Sequence, residues 1–171
     1  MLSTGALCVA LAFVLSCLTL YRMPNGGSIT PASMLPILVF AWIYGPIPGI
    51  AAGTMDGIMQ LVQGAYVIHP MQFLLDYILP FAVLGIAGLF RKDNQLPLGI
   101  VLGSAARFII HVLSGVIYFA SSAPAGQSPL LYSLGYNATY LVPELIICLA
   151  IVLVPRMKHA LIRIKHEAKI A

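Results

Sequence analysis

Residues 97–121 read PLGIVLGSAARFIIHVLSGVIYFAS, an apolar run without an acid, in which Arg107 and His111 are the basic residues. A helix rises 1.5 Å per residue, so about 20 residues cover the ~30 Å hydrocarbon core of a bilayer, and this run is long enough to cross one. The rest of the chain agrees. Of 171 residues, 60% are hydrophobic and 8% charged, and the mean hydropathy is +0.97. So few charges cannot clothe a water-soluble domain, and lipid must be the solvent around most of the chain.

Apolar runs broken by Pro, Gly and polar clusters predict helices near 3–20, 33–45, 47–63, 71–90, 97–121 and 137–164. The expected architecture is an all-α membrane protein of about six transmembrane helices, one domain over 1–171. The second helix is short. The run at 6–20 lacks a basic leader and precedes an equally apolar chain, so it reads as an uncleaved first span. Residues 21–28, YRMPNGGS, form a turn-rich segment suited to a structured loop or lid. On the third helix Gly49, Gly53 and Gly57 make a small-residue seam for close packing.

Charge placement orients the bundle. Arg156, Lys158, Arg163, Lys165 and Lys169 crowd the last stretch, and Arg91 and Lys92 fall on the same side, whereas the opposite side holds Arg22. Both termini are therefore expected in the cytoplasm, with loops 21–32, 64–70 and 122–136 outside. The basic tail reads as a helix end at an anionic leaflet, not a nucleic-acid patch. Cys8, Cys17 and Cys148 sit in apolar runs with no disulfide or metal spacing. No phosphate-binding glycine loop, nucleophile elbow or zinc-protease motif occurs, so an enzyme is not expected.

The ionisable residues inside predicted spans are Asp56, Asp76, Arg107, His111 and Glu144. Each costs about 2.5–3.5 kcal/mol at a helix centre, so each should face the bundle interior or a wet cavity. Helical spacing sets Gln72, Asp76 and Pro80 on one stripe, Arg107, His111, Gly115 and Phe119 on a second, and Asn137, Tyr140 and Glu144 on a third. Three stripes below external loops describe a pocket open to the outside. Arg107 with Glu144 or Asp56 is expected to be a buried ion pair that orients helices. Asp76 beside Tyr77, facing His111 and an amide, suits a cationic, hydrogen-bonding ligand. Tyr66, Tyr118, Phe119, Tyr132 and Tyr136 lie near the same mouth, where either ligand stacking or an interfacial aromatic belt would place them. His69, before Pro70, reads as a cap.

Four segments taken together resemble the thiamine-specific S-component family of energy-coupling factor transporters: residues 21–28, residues 69–77 (HPMQFLLDY), residues 107–115 (RFIIHVLSG) and residues 132–137 (YSLGYN). The resemblance runs from the first helix to the sixth. It implies a substrate-binding membrane subunit of a bacterial cytoplasmic membrane that binds thiamine from outside. It also implies a separate membrane scaffold and two ATPases, with ATP used only by those partners and no covalently bound cofactor or metal. The ligand residues it implies are Tyr66, Asp76, Tyr77, His111, Gly115, Tyr132 and Asn137, to which the fifth-helix stripe adds Phe119. It further implies Ala6 and Ala10 on the first helix as the small-residue surface that docks the scaffold. Where some members of that family carry Glu on the fourth helix and Trp on the third and fifth, this chain has Asp76, Met55 or Asp56, and Phe119. An S-component for another vitamin or a thiamine precursor, and a self-sufficient proton-coupled carrier using Asp56, Arg107 and Glu144, are the alternative readings.

Overall fold

The computed structural model describes residues 1–24, 26–64 and 67–168. Its helices are α1 (Leu2–Cys17), α2 (Leu35–Tyr44), α3 (Pro46–Met59), α4 (Pro70–Leu89), α5 (Leu96–Tyr118), α6 (Pro129–Leu153) and α7 (Pro155–Ala168). Proline stands in the first turn of every one except α1, where its missing N–H loses nothing and its fixed φ starts the helix. Three of the helices, α4, α5 and α6, have 20, 23 and 25 residues and the apolar composition to cross a membrane. A 3₁₀ turn, Gln60–Gln63, extends α3 to the bound expected from sequence.

The ten residues of α2 reach about 15 Å, half the hydrocarbon thickness. This is the most enclosed helix, burying Ile37, Leu38, Phe40, Ala41 and Trp42 among its neighbours. Residues 30–34 precede it without regular structure and are nonetheless mostly buried, with Ala32 at φ +65°. Non-helical backbone at membrane depth is tolerated only when protein or a wet cavity satisfies it.

The structured loop or lid expected at 21–28 begins and ends in a two-stranded hairpin, with Tyr21 opposite Ile29 and Arg22 opposite Ser28. It is tied to α6 where the Gly27 N–H donates to the Tyr136 hydroxyl at 3.1 Å. The glycine seam is also present. A Cβ on Gly53 would stand 2.1 Å from the Phe81 carbonyl oxygen, and one on Gly57 1.9 Å from that of Tyr77, so α3 touches the backbone of α4. On α4 the helix widens to a π-turn over Leu74–Ile78. Pro80 is the reason, because it cannot donate to the Asp76 carbonyl and its ring would collide with it. The widened turn carries Asp76 and Tyr77.

The span expected at 137–164 divides differently. Its helix begins eight residues earlier, at Pro129, and ends at Leu153. Val154 is extended (φ −61°, ψ 123°) because the residue before a proline avoids the helical region, and Pro155 then opens α7. That separate helix lays Leu161 and Ile162 against the bundle. Lys165, 1% exposed, sits 4.0 Å from the centre of the Trp42 ring and donates to the Arg91 carbonyl and to Asp93 Oδ1 (2.8 Å). Trp42 Nε1 donates to the Lys92 carbonyl, and Arg91 to that of Ile43, so α2, the 90–95 loop and α7 are joined at the basic end.

Candidate ligand-binding site

A cavity of about 240 Å³ lies between the hairpin and the halves of α4, α5 and α6 nearest to it. Asp76, Tyr77, His111, Gly115, Phe119, Tyr132 and Asn137, named from sequence, all line it. Tyr66 lies outside the described residues.

On α4, Gln72 is buried and its Nε2 donates to Asp76 Oδ2 at 2.6 Å, while its Oε1 accepts from the Ile68 N–H. The other carboxylate oxygen, Oδ1, is 3.7 Å from His111 Nδ1. His69 does cap α4, accepting from the Met71 N–H at 3.1 Å, and its ring stacks on Tyr118. These contacts fix the acid in the cavity wall.

The wall from α6 is a ladder of rings: Tyr132 stacks on Tyr136 at 6.1 Å, and Tyr136 meets Tyr140 edge-on at 5.9 Å. Asn137 does more than face the cavity. Its Nδ2 donates to the carbonyl and hydroxyl of Ser133, and its Oδ1 accepts from the Tyr140 hydroxyl at 2.6 Å, so the amide also braces the ladder. Gly115 is needed for clearance, since a Cβ there would come within 2.1 Å of Ser133 Oγ.

The ion pair expected for Arg107 does not form: among the described residues it has no carboxylate within 4 Å. Glu144 instead accepts from the hydroxyls of Thr30 (2.7 Å) and Ser33 (2.6 Å), and Asp56 from Gln60 Nε2 (3.0 Å). Two hydroxyls satisfy Glu144 and an amide satisfies Asp56, without bringing a guanidinium to either. Arg107 packs on Phe81, 4.2 Å from its centroid, and donates from Nε to His111 Nε2 at 3.4 Å. Arg107, Glu144, Thr30 and Ser33 all line the cavity, which therefore extends below the predicted residues. Sequence reasoning missed Thr30 and Ser33; two hydroxyls three apart before an apolar run were the available signal.

The arrangement offers an acid, an imidazole, an amide and aromatic faces, the groups that hold a flat cation carrying hydrogen-bonding atoms.

Comparison with known proteins points the same way. The family described as thiamine transporter protein (Thia_YuaJ) matches residues 2–164. The thiamine transporter ThiT of Bacillus subtilis is 40% identical over 146 residues, covering 77% of this chain and 75% of that protein. Its namesake in Lacticaseibacillus paracasei is 30% identical over 122 residues, covering 61% of each. A solved structure of ThiT from Listeria monocytogenes shares the fold, with a TM-score of 0.79 at 24% identity over 91% of this chain and 94% of that one. This is a multi-pass bacterial membrane protein of transport rather than catalysis, and the chain belongs to the thiamine transporter protein family.

Proposed function

We propose that this chain is the thiamine-binding subunit of an energy-coupling factor transporter, taking thiamine from outside the cell into the cavity beneath the hairpin. The observation that carries the reading is the Asp76 carboxylate, fixed by Gln72 and facing His111 in a cavity walled by Tyr77, Phe119, Tyr132 and Asn137. Thiamine has a permanent thiazolium charge and an aminopyrimidine. An acid and ring faces answer the first, an amide the second. The family match favours thiamine over another vitamin, and no feature favours a self-sufficient carrier.

Uptake then depends on a membrane scaffold and two ATPases, which consume the ATP; this subunit itself takes no cofactor. The scaffold docks on the side of α1 that bears Ala6 and Ala10. In support, that side is exposed, with Leu2, Leu7 and Leu11 also open beside the two alanines.

Titration of the purified subunit with thiamine tests the site. Asp76→Asn keeps the size and deletes the charge, and a charge-assisted contact is worth about 1.5–3 kcal/mol, so affinity should fall roughly tenfold to a hundredfold. Asn137→Ala should also weaken binding. Unchanged affinity in both folded variants would remove the ligand from this cavity.

A further inference from the structure

Arg107 is the midpoint of α5 and is 8% exposed, yet it lies one helical turn below His111 without the carboxylate that a buried guanidinium normally finds. Its Nη1 has no hydrogen-bond partner among the described residues. What it does make is directional. The flat face rests on Phe81, which fixes the plane of the group, and the Nε–H is thereby aimed along the helix at His111 Nε2, 3.4 Å away. On the far side of the imidazole, Nδ1 stands 3.7 Å from Asp76 Oδ1. The other groups facing the ring come from α6. Tyr140 meets it edge-on at 6.2 Å with its hydroxyl given to Asn137, and Glu144, one turn further, is engaged by Thr30 and Ser33.

A guanidinium can only donate and an ionised carboxylate can only accept. An imidazole between them satisfies both neighbours in one state alone: Nε2 bare to accept from Arg107, and Nδ1 carrying the hydrogen toward Asp76. The opposite tautomer would set N–H against N–H at one end and a lone pair against a carboxylate oxygen at the other. A doubly protonated ring would still clash with Arg107.

We propose that Arg107 is a positioning residue that holds His111 as the neutral Nδ1–H tautomer, and that this tautomer in turn orients the Asp76 carboxylate for the ligand. Oδ2 is held by Gln72 at 2.6 Å and Oδ1 faces the ring N–H across 3.7 Å, so the acid has a donor on either side of the π-turn that carries it. The arrangement also keeps a second cation out of the pocket wall, because the imidazole nearest the acid carries no charge. The part concerning thiamine rests on the function proposed above; the tautomer itself does not.

The test is the ring-nitrogen NMR of histidine-labelled, ligand-free protein in detergent at neutral pH, with His111 assigned from the signal lost in His111→Gln. The expected result is a protonated Nδ1 and a bare Nε2. Arg107→Met should abolish that signature and lower thiamine affinity tenfold or more, and Arg107→Lys, still a pure donor, should restore part of both. A parent ring that is Nε2–H or charged overturns the proposal, as does a signature unchanged in Arg107→Met. Should Arg107→Met fail to fold, the parent spectrum decides alone. A parent with the expected tautomer that takes no thiamine would retire the ligand assignment and leave the role of Arg107 standing.

Discussion

Gly115 shows how little room one position can have. It belongs to the cavity wall, but the nearest obstacle to a side chain there is Ser133 Oγ, itself donating to the Val112 carbonyl at 2.9 Å. Gly115→Ala should therefore press α5 from α6 at an overpacking cost of about 1–3 kcal/mol, seen as a lower melting temperature in detergent. Adding Ser133→Ala removes the obstructing oxygen and should recover part of that loss; no recovery would mean that the glycine serves something other than clearance. Sequence located the group through the intolerance of membranes for ionisable side chains, which is why Asp76 and His111 stood out. It could not apportion partners. Helical spacing gives the face of Arg107 and Glu144 but not the side-chain rotamers, and uncharged Thr30 and Ser33, which take the acid, cost too little in lipid to attract notice.

At the scale of elements, α7 is pinned by contacts that titrate. The hydrogen bond from Lys165, and next that from His166 (2.9 Å), hold the Asp93 carboxyl down at about 2. An acid held below its ordinary ~3.9 contributes stability that is fully present above that value and is lost as pH falls through the folded one. The docking of α7 should thus loosen between about pH 4 and about pH 2. Asp93 is partly exposed, so the effect is modest. Trp42, the single tryptophan, lies under Lys165 and reports it: its emission should hold steady down to about pH 4 and change below, and Asp93→Asn should remove that step. A step that persists in Asp93→Asn would belong to another group. The split of α6 from α7 was marked in the sequence by Pro155 and the charges behind it, Arg156 and Lys158, but the apolar Leu161, Ile162 and Ile164 further on carried the expected helix through the break. The early start at Pro129 was hidden because Gly126, Gln127 and Ser128 read as loop, and the helix begins directly behind them.

For the molecule as a whole, binding and delivery should separate. Ala6→Trp or Ala10→Trp adds bulk on the exposed side of α1, away from the cavity-lining residues, so thiamine affinity of the isolated subunit should stay within about twofold while uptake by cells is lost. Normal uptake in both variants would move the docking surface elsewhere. The multi-pass helical architecture and the shortness of α2 were legible from composition and the lengths of the apolar runs; the depth of the cavity was not, since that depends on Thr30 and Ser33 meeting Glu144 beside Arg107. Were the well filled with water down to Arg107, a resting voltage would fall mainly across the apolar residues beyond it, α2 among them. An arriving cation would then feel little of the electric field while it binds, and nearly all of that electrical work would be done in whatever later motion carries it past α2.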